Sequence, residues 1–205
     1  LASKPDSAAY ITKKLDDVEL EHDEIAAVVR DINHDLLSDV ELGAFVSGLY
    51  AHGLSRAEIM NLTDSMVDIG ETIEWDREPI VDKHSIGGVA GNRVTPIVVP
   101  IVAAAGVPIP KSSSRAVTSA AGTADTMEVF CDVSFSVSEV RELVSKTNGC
   151  MVWGGAVNLS PVDDKIIRAE TPLSLDPPGQ VIASVLSKKK SAGATHVVID
   201  LPYGE

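Results

Sequence analysis

Apolar residues recur at three- and four-residue spacing through the first 70 positions. Val40, Leu42, Phe45, Val46, Leu49 and Tyr50 form one helical stripe, and Ile59, Leu62, Met66 and Ile69 another. Ile25, Val28, Val29 and Ile32 predict an earlier helix near 22–35, and a further one lies near 7–16. Ser38-x-x-Glu41 and Ser55-x-x-Glu58 are capping boxes, in which serine takes a free helix N–H and glutamate reaches back to the cap. Gly53 and Gly70 stand where such helices stop. Short connections between these segments predict a small antiparallel bundle. His22, His34 and His52 fall at helix ends and read as surface or capping residues.

The texture changes from residue 78. Pro79-Ile80-Val81-Asp82 reads as a strand, followed by a glycine-rich turn over 83–92. An apolar helix starts at Thr95-Pro96 and ends at Gly106. Pro108-Ile109-Pro110 leads into a serine-rich loop. Ser136-x-x-Glu139 opens a helix that Asn148-Gly149 stops, and Cys150 to Trp153 reads as a strand. Helices near 161–170 and 178–192 precede a strand from Thr195 to Leu201. Strands alternating with helices predict an α/β fold with a mainly parallel sheet. The expected division is a helical domain over 1–79, joined by the helices near 161–192, and an α/β domain over 80–205. The chain begins at Leu1 and stops just after a strand, which reads as a fragment with an incomplete sheet.

Charge sharpens this division. The 205 residues carry a net charge of −13. Residues 1–80 hold 18 acidic and 6 basic side chains, and the remainder 12 and 11. The acidity argues against nucleic acid, whose phosphates need a basic stripe. It fits a solvated helical surface, and beyond that a salt-adapted cytoplasm. No apolar run is long enough to span a bilayer, Ile97 to Val107 being the longest candidate. No secretory signal is visible. Cys131 and Cys150 supply neither a disulfide framework nor a metal-ligand spacing. A cytoplasmic protein is expected.

Three constellations carry chemistry. Lys83-His84-Ser85-Ile86-Gly87-Gly88-Val89-Ala90-Gly91-Asn92 lies between a strand and a helix. Its glycines let backbone N–H groups approach an anion, its lysine supplies charge and its serine a donor. It is neither a P-loop nor a dinucleotide fingerprint. The segment from Lys111 to Asp125 combines two cations with small hydroxyl residues and suits a phosphate or sugar. Asp125 reads as fixing this loop or capping the next helix. Third, Asp176 lies in a Pro-rich turn, and Ser184 and Lys188, four apart, share the face of the helix that follows. Lys189 and Lys190 read as a solvated cationic helix end.

Ser113-Ser114-Arg115-Ala116-Val117-x-x-Ala120-Ala121-Gly122-Thr123-x-Asp125-x-Met127-Glu128 closely resembles the signature of the thymidine and pyrimidine-nucleoside phosphorylase family. Met127 departs from the branched aliphatic residue the pattern prefers. Lys83-His84-Ser85-x-Gly87-Gly88 matches the family's phosphate loop. Leu159-Ser160-Pro161-Val162-Asp163 and Ala183-Ser184-x-Leu186-x-Lys188-Lys189 match its later segments. The longer first loop is more similar to the family's archaeal AMP phosphorylase branch, and Ala169 stands where the thymidine enzymes carry a base-holding arginine.

The resemblance implies a glycosyltransferase that reversibly phosphorolyses nucleoside 5′-monophosphates (AMP, also CMP and UMP). The products would be free base and ribose 1,5-bisphosphate. It implies Lys83, Ser85, Thr95, Ser113 and Thr123 as phosphate ligands. Gly88, Ser114, Arg115, Ala116, Val117, Thr118, Ser119 and Thr123 would line the nucleotide, with Arg115 toward its 5′-phosphate, and Ser184 and Lys188 toward the base. Asp176 would donate the proton to the leaving base, its proton affinity raised by burial or by anionic phosphate. His84 would position the loop or serve as a structural hydrogen-bonding residue. No metal or organic cofactor is implied; phosphate is the co-substrate. The implied partners are nucleotide and phosphate, and the implied assembly is a homo-oligomer, a dimer or larger. The branch carries further N- and C-terminal domains, so the piece alone is expected to be inactive.

Three alternatives stay open on sequence. One is a nucleoside phosphorylase of the same family. Another is an anthranilate-type phosphoribosyltransferase, whose first loop is Gly-Thr-Gly-Gly-Asp-Gly. The last is a non-catalytic nucleotide-binding module.

Overall fold

The computed structural model describes residues 7–86, 94–115 and 122–203. The chain divides into two compact units. One runs to Gly70 and takes in Ser160–Ser187; the other comprises Glu71–Leu159 and the chain from Lys188 onward.

The helical unit contains α1 (Ser7–Leu15), α2 (His22–Asn33), α3 (Asp39–His52), α4 (Arg56–Ile69), α8 (Pro161–Leu173) and the start of α9 (Pro178–Ser191). Both expected capping boxes form: Ser38 and Ser55 each accept from the backbone three residues on, and Glu41 and Glu58 accept from the cap amides. The predicted stripes supply most of the core, where Ile25, Val28, Phe45, Val46, Leu49, Leu62 and Met66 pack with Val162, Ile166 and Ala183. Val40 and Tyr50, expected in the α3 stripe, are instead exposed because they lie on the outer side of that helix. His22 begins α2, His34 caps its end, and His52 closes α3 with its ring bonded to the Leu15 carbonyl. Gly179 abuts Leu54, whose Cβ would lie 2.7 Å from any added Cβ.

The α/β unit holds β1 (Val81–Ser85), α5 (Val94–Ala104), β2 (Ile109–Ser113), α6 (Thr123–Glu128), α7 (Val137–Thr147), β3 (Gly149–Trp153) and β4 (His196–Asp200). Both strand pairings are parallel: β1 with β4, and β2 with β3. A backbone bond from Val81 N–H to the Pro108 carbonyl links the start of β1 to the residue before β2. The expected α/β class with parallel pairing is therefore present. Ile73, Val140, Val152, Val157, Leu159 and Ala192 form this unit's core.

Two boundaries differ from expectation. β1 continues through Lys83-His84-Ser85, and β2 through Lys111-Ser112-Ser113, where the composition indicated turn and loop. Buried polar residues are tolerated in a strand only when partnered, and partners come from distant chain segments. α6 was also not anticipated; the Asp125 carboxylate caps it by accepting from the Gly122 amide at 2.9 Å. Asn148 ends α7 in the left-handed conformation, as Asn-Gly suggests. Gly193, at φ +73, joins α9 to β4, and an added Cβ would lie 2.2 Å from the Ile73 carbonyl oxygen.

Candidate active site

Lys83 lies on β1 with its side chain almost wholly buried. Its ammonium donates to the Ser85 hydroxyl, reaches Thr95 Oγ1 on α5 at 3.4 Å, and pairs with Asp200 Oδ2 at 3.2 Å. The Ser85 hydroxyl donates to the same carboxylate oxygen at 2.8 Å. Lys83 and Ser85 thus converge on one anionic oxygen at the C-terminal end of a parallel strand, with Thr95 alongside. Such strand ends are where open α/β sheets bind ligands. Ser85 and Lys83 together hold the Asp200 carboxyl below the usual range.

Asp200 was not anticipated. The β1–β4 register sets it opposite Ser85, across 115 positions of chain. The local sequence shows an acid at a strand end and nothing more.

The second constellation surrounds the end of β2. The Ser113 hydroxyl donates to the Ser114 carbonyl at 3.1 Å. Arg115 stacks over the Trp153 ring, 4.6 Å from its centroid. Its guanidinium grips Glu128 through two nitrogens, at 2.6 and 2.8 Å, and reaches Asp125 at 3.0 Å. Those bonds raise the Arg115 pKa above its already high value, and Arg115 in turn lowers that of Glu128. Asp125 therefore fixes the Arg115 loop, as expected, and also caps α6, a helix that the sequence pattern does not predict. Trp153 and Glu128 as Arg115 partners were not foreseen. Thr123 is the first residue of α6. Gly88 and the run Ala116 to Ser119 lie outside the described residues.

The residues expected to face the base lie around α9. Asp176 sits between α8 and α9 and is exposed. Ser184 is buried on α9, and the half-buried Lys188 follows four residues later, where the α/β unit resumes. Lys189 corrects the sequence reading. It is not a solvated helix end but 2% exposed, with its ammonium 2.8 Å from Asp82 Oδ2. Lys190 is exposed, as expected.

Lys111 completes a buried cationic group with Lys83 and Lys189. Burial, reinforced by the Lys189 charge, pushes its pKa well below the ordinary lysine value. His84 sits within reach of the same field. Burial and then the charges of Lys189, Lys111, Lys188 and Lys83 lower its pKa from 6.5 to about 3, so the imidazole is neutral near pH 7. Between those two values the unfolded chain binds a proton that the folded chain does not. Stability from this group is complete above pH 6.5 and falls as the pH drops toward 3. His84→Gln should therefore flatten the pH dependence of urea unfolding between pH 4.5 and 6.5. The slope removed is at most about 1.4 kcal/mol per pH unit; an unchanged slope would refute the assignment.

Burial, followed by the Asp82 charge, pushes the Cys150 thiol up to about 12, while Cys131 is exposed. No cluster of three or more His, Cys, Asp or Glu capable of holding a metal occurs among the described residues. No helix among them is long and apolar enough to cross a membrane.

Comparison with known proteins gives a consistent picture. The helical-bundle domain of the glycosyl transferase family matches residues 8–70, and the family's a/b domain matches residues 77–204. The chain is 64% identical over 203 residues to an AMP phosphorylase of Natronomonas pharaonis, covering 99% of this chain and 41% of that protein. It is 54% identical to AMP phosphorylase 1 of Archaeoglobus fulgidus over 98% of this chain and 40% of that one. Against the AMP phosphorylase of Thermococcus kodakarensis the identity is 52%, with 100% and 41% covered. The chain thus spans about two fifths of the length of these relatives. Among solved structures, the anthranilate phosphoribosyltransferase of Thermus thermophilus superposes with a TM-score of 0.78 at 21% identity. That match covers 93% of this chain and 57% of the other, and it shows a shared fold.

Proposed function

The chain belongs to the glycosyl transferase family, and on that premise we propose that the whole protein is a nucleoside-monophosphate phosphorylase. AMP, and also CMP and UMP, would react with inorganic phosphate. The N-glycosidic bond breaks, a phosphate oxygen bonds to C1′, and a proton is delivered to the departing base. The products are free base and ribose 1,5-bisphosphate. The observation that carries this reading is the convergence of Lys83 and Ser85 on a single anionic oxygen beside Thr95. A phosphate oxygen would take the place that the Asp200 carboxylate occupies. The identity to proteins named AMP phosphorylase adds the nucleotide.

In this reading the donors hold the phosphate dianion beneath C1′ and stabilise charge developing on the sugar. Ser113 and Thr123 complete the phosphate ligands, and Ser114 leads into the nucleotide-lining run. Arg115 would take the 5′-phosphate by exchanging Glu128 for it, a swap of one charge-assisted pair for another. Ser184 and Lys188 face the base. Asp176 is the proton donor. The reaction needs phosphate as co-substrate and no organic cofactor or metal. The acidic first 80 residues suit a salt-rich cytoplasm, and a homo-oligomer is the expected assembly.

A substrate panel on the full-length protein tests the reading. AMP, CMP and UMP should release base only when phosphate is present, at low and high KCl. Thymidine and uridine should react at least tenfold more slowly. Turnover of nucleosides alone would overturn it in favour of a nucleoside phosphorylase.

A further inference from the structure

The phosphate-facing ends of β1 and β2 are joined by side chains rather than by a backbone ladder. The two strands belong to separate pairings. The backbone bond between them, from Val81 N–H to the Pro108 carbonyl, lies at their opposite ends. Beyond that bond Lys189 spans the gap, from Asp82, the second residue of β1, to Ser112, the fourth of β2. Its ammonium pairs with Asp82 Oδ2 at 2.8 Å, donates to the Ser112 carbonyl at 3.2 Å and reaches Ser112 Oγ at 3.4 Å. The other oxygen of Asp82 accepts from the Lys83 backbone amide at 2.6 Å. Lys189, Asp82 and Ser112 are each no more than 3% exposed. The residues that follow Asp82 and Ser112 in the chain are Lys83 and Ser113, the ligands that each strand contributes.

We propose that Lys189, acting through Asp82 and Ser112, is a positioning residue. It sets the separation of the β1 and β2 ends, and hence the spacing of the Lys83 and Ser113 ligands around phosphate. The inference rests on the phosphate role given to those ligands under the proposed function. Lys189 itself need not touch the substrate. A buried ammonium is suited to the task, because from one point it pairs with a carboxylate on one strand and bonds to a carbonyl on the other. Low local dielectric makes each of those bonds stiff. Lys111, Lys83, Lys188 and His84 share its surroundings, so removing Asp82 alone would leave the cations uncompensated. The informative variant therefore neutralises both partners.

The test uses the full-length protein with Lys189→Met, Lys189→Arg and the double variant Asp82→Asn/Lys189→Met. Inorganic phosphate affinity is measured by calorimetry, and KM for phosphate and for AMP by base release. The double variant should unfold within a few degrees of wild type, because no buried charge of the pair is left alone. It should nevertheless bind inorganic phosphate at least tenfold more weakly, with KM for AMP changed less than threefold. Lys189→Arg should recover part of the phosphate affinity. A role limited to stability predicts the opposite: a folded double variant with wild-type phosphate affinity. Phosphate affinity within twofold of wild type in folded Lys189→Met or in the double variant overturns the proposal. Wild-type protein that binds phosphate but releases no base overturns the phosphorylase reading instead, and the calorimetric arm still decides the clamp.

Discussion

Asp176→Asn in the full-length protein should lower kcat for AMP phosphorolysis by about 10²–10⁴, the range that positioned acid–base groups contribute. The departing base must gain a proton as its bond to C1′ breaks, and an amide of the same shape has none to give. Nucleotide and phosphate affinities should stay within about threefold of wild type, since the change removes a proton donor and not a binding surface. Base release and equilibrium nucleotide binding check both arms. A loss below tenfold would remove Asp176 from the role. Lost binding together with lost turnover would instead make it a ligand.

Lys14→Met should destabilise the helical unit by about 3–5 kcal/mol, the usual cost of stranding one member of a buried ion pair. Lys14 and Glu58 are 3% and 1% exposed, and their charges meet at 2.9 Å and 3.1 Å. Glu58 also accepts from the Leu20 amide at 3.0 Å and the Ser55 amide at 2.8 Å. One carboxylate thus ties α1, the α1–α2 connection and the start of α4 together. Methionine fills the lysine stem's place against Gly48 but leaves the anion with amide partners alone. Adding Glu58→Gln should restore part of the loss, because it removes the stranded charge, while the single amide oxygen can accept from only one of the two backbone donors. Urea unfolding followed by far-ultraviolet circular dichroism measures both variants. A cost below about 1 kcal/mol for the single change would show that the pair is effectively solvated.

Much of the helical unit is legible because its determinants are local. Ser38 and Glu41, and Ser55 and Glu58, lie three residues apart, and each box forms within a single turn, as does Ser136 with Glu139 in the α/β unit. The apolar stripes follow from helical period alone, and most of their residues fill the core, Val40 and Tyr50 being exposed. The cluster of Lys83, Ser85 and Thr95 is legible in part: Lys83 and Ser85 are two apart in sequence, and Thr95 comes twelve residues after Lys83. Local cues failed where a polar residue is buried by something far away. The run Lys111-Ser112-Ser113 carries a loop's composition, yet it is a strand paired with β3. Lys189, within a triple-lysine run, has the composition of a wet helix end, yet Asp82 and Ser112 hold it in the interior.

The sequence by itself determined the helices and their caps, the alternation of strand and helix, and the residue types that can bind an anion. Each of these depends on neighbours within about a turn or on the side chain's own chemistry. Only the tertiary structure decided which charges meet. It set Asp200 opposite Ser85, gave Arg115 to Glu128 and Trp153, and placed Lys189 between Asp82 and Ser112. The reason is physical: a buried charge is tolerated only with a partner, and strand register and helix docking, not sequence distance, supply that partner.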